Sequence, residues 1–235
     1  MALPKLETPK HTCVLPSSKE TVTFRPFLVG EQKVLLIAQE SENSNEQISE
    51  MIRLINICCD DINANELATI DLEYLFLQLR IKSAGETADV QMECKNCQES
   101  NTVTVQLEQT TIVEPEEVID NIVKITDSIS IDLRTPSYEI VNSVDLNNTE
   151  DTEVVFDVVT KCINTIIDGD EIHTRDDFTD KELMSFLDTM SMEMFDKIQK
   201  FFVNVKKLKI NGSYDCEKCQ ESNSYELVGI GNFFG

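Results

Sequence analysis

The residues with the most defined chemistry are two cysteine pairs far apart in the chain. Cys94-Lys95-Asn96-Cys97-Gln98-Glu99-Ser100-Asn101 recurs as Cys216-Glu217-Lys218-Cys219-Gln220-Glu221-Ser222-Asn223, identical at six of eight positions. Each is a Cys-x-x-Cys knuckle, in which two thiolates spaced by two residues reach one metal ion. Two such pairs supply the four sulfurs of a tetrahedral structural zinc site. The expected cofactor is therefore structural Zn2+, with Cys94, Cys97, Cys216 and Cys219 as ligands. Two disulfides or two redox-active pairs remain open as alternatives. A redox Cys-x-x-Cys usually sits where a strand meets a helix, whereas here each pair is followed by residues that alternate like a strand. The separation between the pairs exceeds the usual zinc-ribbon interval, so the site would clasp the middle of the chain to its end.

Two details bear on that geometry. Many knuckles place glycine after the second cysteine, because the turn often needs positive φ there. Gln98 and Gln220 hold those places. Four thiolates around one zinc leave a net negative site, which Lys95 and Lys218, inside the knuckles, can offset. The other cysteines, Cys13, Cys58, Cys59 and Cys162, lie in apolar surroundings and read as small core residues.

Catalytic constellations are scarce. The two histidines, His11 and His173, lie beside no cysteine or serine in a nucleophile motif. There is no nucleophile elbow, phosphate-binding loop or dinucleotide fingerprint. Asp168-Gly169-Asp170-Glu171 lacks the ligand spacing of a calcium loop. A site of four thiolates is closed, with no position for substrate or water. The expectation is a protein that is not an enzyme and has no small-molecule substrate.

The chain has 235 residues, 41% of them hydrophobic, enough for a real core. Its formal net charge is −23 and its pI about 4.3. Nucleic acids and anionic membranes are polyanions, so neither is an expected partner. A basic protein is. The N-terminus lacks an apolar core for a signal peptide, and no run of about 18 apolar residues exists. A cytoplasmic, reducing compartment follows, which favours thiolates over disulfides.

The elements that position the knuckles read as α+β, with helical groups and short antiparallel strands. Residues 11–15 and 20–29 form a hairpin, the second strand holding Phe24-Arg25-Pro26-Phe27. Arg25 and Phe27 are candidate partner contacts. Val34, Leu35, Ile37 and Ala38 give a short apolar face. Ile48, Met51, Ile52, Ile55 and Cys59 mark an amphipathic helix. Asn63 and Glu66 have the spacing of a helix start, and residues 70–81 form a central buried helix ending near Gly85. Strands over 86–93 and 102–107 flank the first knuckle. The glutamate-rich stretch 110–120, with Pro115, reads as an exposed connection. Short strands follow at 121–126 and 129–134, and Pro136 permits a helix start.

Val154, Val155, Val158, Val159, Cys162, Ile163, Ile166 and Ile167 read as one unbroken helix capped at Gly169. Thr179 and Glu182 form a capping box for a helix with Leu183, Met184, Phe186 and Leu187. Another helix spans 191–204, where Met194 and Phe195 belong to a Met and Phe stripe that is a second candidate partner surface. A strand at 206–214 leads to the second knuckle, and the chain closes on Phe233-Phe234-Gly235. Two lobes are expected, 1–110 and 111–235, each ending in a knuckle hairpin and joined at one zinc-ribbon-like site. The recurrence hints at an old duplication.

Several stretches together resemble a family of baseplate proteins from contractile-tailed phages of the T-even type. They are Ala2-Leu3-Pro4-Lys5-Leu6-Glu7-Thr8-Pro9, Phe24-Arg25-Pro26-Phe27, Asp71-Leu72-Glu73-Tyr74-Leu75-Phe76-Leu77-Gln78-Leu79-Arg80 with Lys82-Ser83, both cysteine pairs, and Phe186-Leu187 through Phe201-Phe202. The likeness covers nearly the whole chain. It implies a non-enzymatic role in building the baseplate hub, as a hub subunit or a chaperone-like assembly factor. The implied partners are hub or tail proteins, met in the host cytoplasm during assembly. The competing reading is a zinc-ribbon regulator that binds nucleic acid, which the cysteine spacing permits and the charge opposes.

Overall fold

The computed structural model describes residues 8–33, 44–115, 120–142 and 152–229. Helices and short antiparallel strands alternate, as the sequence implies. The chain makes two compact units. The first takes its residues from Met1–Ala64, Ile70–Val113 and Lys206–Gly235, and the second from Asn65–Thr69 and Glu114–Val205. The acidic stretch around Pro115 thus begins where the chain leaves the first unit, and the chain returns at Lys206. Both knuckles lie in the first unit.

In the first unit, β1 (His11–Val14) and β2 (Thr21–Phe24) form a hairpin with Thr12 opposite Thr23. The second strand stops at Phe24, well short of residue 29. Pro26 has no N–H to donate to a ladder, and residues 29–33 turn into a helix instead, with Leu28 accepting from Glu31 and Gln32. The apolar face expected at Val34–Ala38 and the terminal Phe233-Phe234-Gly235 lie outside the described residues. Helix α1 (Ser44–Cys58) buries Met51, Ile52, Leu54 and Ile55. The Asn63–Glu66 stretch is a turn, and the next helix begins later.

That helix, α2 (Thr69–Ala84), buries residues on most sides, among them Leu72, Leu75, Phe76, Leu77 and Leu79. A helix apolar all round belongs in a core. Asp71 is nevertheless 1% exposed. Its carboxylate accepts from the backbone of Ser17 (2.6 Å) and Ser18 (3.2 Å), so it ties the β1–β2 turn to the helix. Gly85 ends the helix at φ 101°, where its N–H reaches the Ile81 carbonyl.

Strands β3 (Thr87–Glu93) and β4 (Ser100–Gln106) form one knuckle hairpin. A short strand, β5 (Thr111–Val113), lies inside the stretch expected to be an open connection. It pairs antiparallel with β10 (Lys207–Asp215), which also pairs with β11 (Ser222–Val228) to make the second knuckle hairpin.

The second unit is a four-stranded antiparallel sheet in the order β6 (Ile122–Lys124), β7 (Ile129–Leu133), β8 (Ile163–Asp168), β9 (Glu171–Thr174). Its core joins Val123, Ile131, Leu133, Ile163 and Ile166 of the sheet to residues of α4 (Thr152–Cys162), α5 (Asp180–Asp188) and α6 (Met192–Val203). A short helix, α3 (Tyr138–Asn142), precedes them in the chain. Core anchors on the last two helices are Leu183, Leu187, Phe195, Ile198 and Phe201. Thr179 and Glu182 form the expected capping box, and Ser191 caps the next helix.

The helix expected over 154–167 is overturned in its second half. It stops at Cys162, and Ile163–Asp168 is a strand. A bulge explains the misleading spacing. Thr165 pairs with Asp132 and Ile163 with Leu133, so Asn164 is left without a register partner. Ile163 and Ile166, three residues apart, therefore both face the core, as they would on a helix. The β-branched run favours the strand. Gly169 is not a helix cap; at φ 59° it starts the two-residue turn between β8 and β9, with Asp168 opposite Glu171.

Candidate metal centre

Alternation along the four knuckle strands aims the cysteines. Glu93 pairs with Ser100 and Asp215 with Ser222, so each hairpin ends in an equivalent six-residue knuckle. Within each, the second-cysteine side folds back identically. Gln98 N–H donates to Cys94 O and Gln220 N–H to Cys216 O, both at 2.9 Å. Cys94 N–H meets Glu99 O, and Cys216 N–H meets Glu221 O, again at 2.9 Å. Glutamine in place of glycine does not prevent the turn: φ is 58° at Gln98 and 60° at Gln220.

The four thiols come together. One sulfur from each of Cys94, Cys97, Cys216 and Cys219 lies within 4.8 Å of the others. Two sulfur–sulfur contacts between the knuckles are Cys94–Cys219 at 3.7 Å and Cys97–Cys216 at 3.6 Å. A tetrahedron with Zn–S of about 2.3 Å has edges of about 3.8 Å. Cys94 and Cys216 are buried, and Cys97 and Cys219 half-buried. The donor set is all soft sulfur, with no carboxylate or imidazole in the cluster. Such a set suits zinc or an iron–sulfur centre and disfavours magnesium or calcium.

The electrostatics separate these thiols from the rest. Backbone N–H groups of Cys97 and Asn96 point at the Cys94 sulfur. Assisted by Asn223, they hold its pKa down to about 6. Cys216 is likewise lowered, first by the Cys219 N–H and then by that of Lys218. Cys97 has the Glu99 N–H in its favour, yet burial and the three neighbouring sulfurs push it up to about 12. Crowded thiols without a cation cannot all ionise; a divalent cation removes that conflict. By contrast, burial raises Cys13 and Cys58 to about 11 and Cys59 and Cys162 to about 12. Cys58, Cys59 and Cys162 are buried as expected of core thiols, whereas Cys13 is half-buried; a raised thiol yields little thiolate to react or bind metal.

Polar contacts surround the cluster. Lys218 donates to Glu99 at 2.5 Å, and Lys95 Nζ to the Ser224 carbonyl at 3.0 Å. Tyr214 Oη donates to the Glu93 carbonyl at 3.0 Å. Asn101 and Asn223, the last residues of the repeat, are each 3% exposed and reach across between the knuckles. Sequence reasoning assigned them no role. Their signal was the identity of the repeat beyond the second cysteine, which ligand spacing alone does not require.

The candidate partner residues are committed to packing within their own units. Arg25 holds Glu31 through two guanidinium hydrogen bonds of 2.9 and 2.7 Å. Phe27 is buried, its N–H bonded to Ser83 Oγ at 2.9 Å. Phe195 is buried and stacks on Phe156 with ring centroids 4.7 Å apart, while Met194 packs at the edge of the same core. In the second unit a cavity of about 260 Å³ is lined by Ile129, Ile166, Phe178 and Phe186, with Asp168, His173 and Glu182 at its polar side. Glu182 is occupied as a helix cap, and no serine or cysteine lines the cavity.

The architecture is that of a mixed helix-and-sheet protein whose first unit carries a four-cysteine cluster. The family described as T4 bacteriophage base plate protein matches residues 8–235, and the chain belongs to it. It is therefore a phage baseplate protein of the T4 type. No curated protein and no solved structure matches the chain. Among the described residues no helix is long and apolar enough to cross a membrane.

Proposed function

We propose that this baseplate protein is a non-enzymatic hub assembly protein, acting through protein–protein contacts as a hub subunit or a chaperone-like factor. Cys94, Cys97, Cys216 and Cys219 hold one structural zinc. The observation that carries the metal reading is the four-sulfur cluster, whose knuckle-to-knuckle contacts of 3.7 and 3.6 Å match the edges of a thiolate tetrahedron. Such a site is closed to substrate, so its effect is mechanical. It locks two hairpins from distant parts of the chain into one scaffold. Elemental analysis of the purified protein tests this directly. One zinc per chain supports it; iron, or oxidised cysteines without metal, defeats it.

The partners are other baseplate or tail proteins. Arg25 and Phe27 serve that contact indirectly, by holding the turn that presents Leu28 and Val29, 49% and 85% exposed. Met194 and Phe195 anchor the helix that presents Met192, 76% exposed. The net charge of −23 opposes the nucleic-acid regulator reading. Mass spectrometry of purified particles against infected-cell lysate distinguishes the two assembly roles. A fixed small copy number per particle makes the protein a hub subunit. Abundance in lysate with absence from particles makes it an assembly factor acting in the host cytoplasm.

A further inference from the structure

The repeat in the sequence is longer than a metal knuckle needs. Two cysteines and a turn suffice to present two sulfurs, yet the identity continues through Asn101 and Asn223. Both asparagines are buried, and burying an amide is costly unless its donors and acceptors are used. Their partners form a reciprocal pattern. Asn223 Oδ1 accepts from the Lys95 N–H, and Asn101 Oδ1 accepts from the Glu217 N–H, both at 3.0 Å. Lys95 and Glu217 directly follow the first cysteine of the opposite knuckle. Each amide NH2 turns back to its own knuckle, Asn101 to Glu99 O at 2.8 Å and Asn223 to Glu221 O at 2.9 Å.

We propose that Asn101 and Asn223 are positioning residues of the metal centre, each latching the opposite knuckle so that the two half-sites close on one ion and release it slowly. This rests on the zinc reading above. An asparagine that merely filled a strand would bond within its own hairpin. Here each carbonyl oxygen fixes the backbone beside Cys94 or Cys216, the most buried sulfur of the other hairpin. Exchange of equivalent contacts gives the site a local twofold pattern. The pattern is incomplete in one respect. Asn223 Nδ2 also lies 3.4 Å from Cys94 Sγ. Asn223 thus both latches and donates to a ligand.

The test uses the full chain loaded with zinc, and separately with cobalt(II). Zinc release to a chromogenic chelator gives a rate, and the cobalt charge-transfer bands report the sulfur geometry. Asn101→Ala and Asn223→Ala should release zinc about 10–100-fold faster, the range typical for groups that orient metal ligands. Asn223→Asp keeps the carbonyl-like acceptor and loses the NH2 donor. It should release zinc more slowly than Asn223→Ala but shift the cobalt bands. Asn101→Asp should stay nearer to the native rate than Asn101→Ala. Ile55→Ala, in the core of the same unit, controls for lost stability alone. Release by both alanine variants at the native rate, or no faster than from Ile55→Ala, overturns the proposal. If an alanine variant fails to fold, the near-isosteric Asn101→Leu and Asn223→Leu, which fill the site but lack the acceptor, decide it: release at the native rate by both overturns it. A native protein that takes up neither zinc nor cobalt overturns the zinc reading itself, and the latch with it.

Discussion

The two glutamines after the second cysteines show how a single residue is set by its neighbours. A non-glycine residue in the left-handed region costs about 1–2 kcal/mol. Replacing it with glycine adds chain entropy to the unfolded state, which returns about 0.4–1 kcal/mol. The first effect is the larger. Gln98→Gly and Gln220→Gly should therefore each stabilise the metal-loaded protein, by up to about 1 kcal/mol. Urea denaturation followed by circular dichroism checks this; a lower midpoint for both variants would show that the glutamine side chains contribute something the backbone does not. The need for positive φ could be anticipated from the knuckle sequence, but not that glutamine would meet it. The asparagine latch could not, because its partners are more than a hundred residues away.

At the scale of elements, the capping boxes of the second unit make a pH-dependent contribution. The backbone N–H and hydroxyl of Thr179 donate to Glu182, and those of Thr174 to Asp177, which lowers both carboxyl pKa values. A lowered carboxyl stabilises the fold above its unfolded value, near pH 4, and that contribution fades as pH falls through the folded pKa. Thr179→Ala should cost about 1 kcal/mol at neutral pH. Its deficit relative to the native protein should shrink below pH 4, once Glu182 is protonated in both. Paired denaturation curves at pH 7 and pH 3 measure this, and an undiminished deficit at pH 3 would remove Glu182 from the account. The α5 cap was legible because capping is local. The end of α4 was not. The spacing of Ile163 and Ile166 fits a helix equally well, and only pairing with β7 through a bulge at Asn164 selects the strand.

For the whole molecule, two physical influences act on different units. The first unit contains both knuckles, so stripping zinc should destabilise it. Zinc-finger peptides gain roughly 10–16 kcal/mol of apparent binding free energy, but a unit with its own core should lose less and melt earlier rather than unfold outright. Calorimetry with and without a chelator reads the shift, and an unchanged melting profile would contradict a structural metal. The second unit holds 23 Asp and Glu against 7 Lys and Arg. Like charges at that density repel in the compact state, and salt screens them over about 10 Å at 0.1 M. Raising ionic strength from about 10 mM to 150 mM should raise the melting temperature of the second unit. A fall would mean that its ion pairs, such as Lys161–Asp157 at 2.9 Å, outweigh the repulsion.

The sequence by itself determined what depends on near neighbours. It marked the knuckles, the hairpins that carry them, the buried α2 helix, the cap at Thr179, and the baseplate family. Periodicity and capping act within a few residues, so a linear reading captures them. Tertiary structure alone decided how the units are composed and where the sulfurs meet. In the first unit β10 pairs with β5, a contact between segments almost a hundred residues apart. Arg25, Phe27 and Phe195 looked available for partners in the linear pattern. Their commitment to Glu31, to the first unit's core and to Phe156 became visible only after packing, because burial is a property of the assembled fold and not of any residue's type.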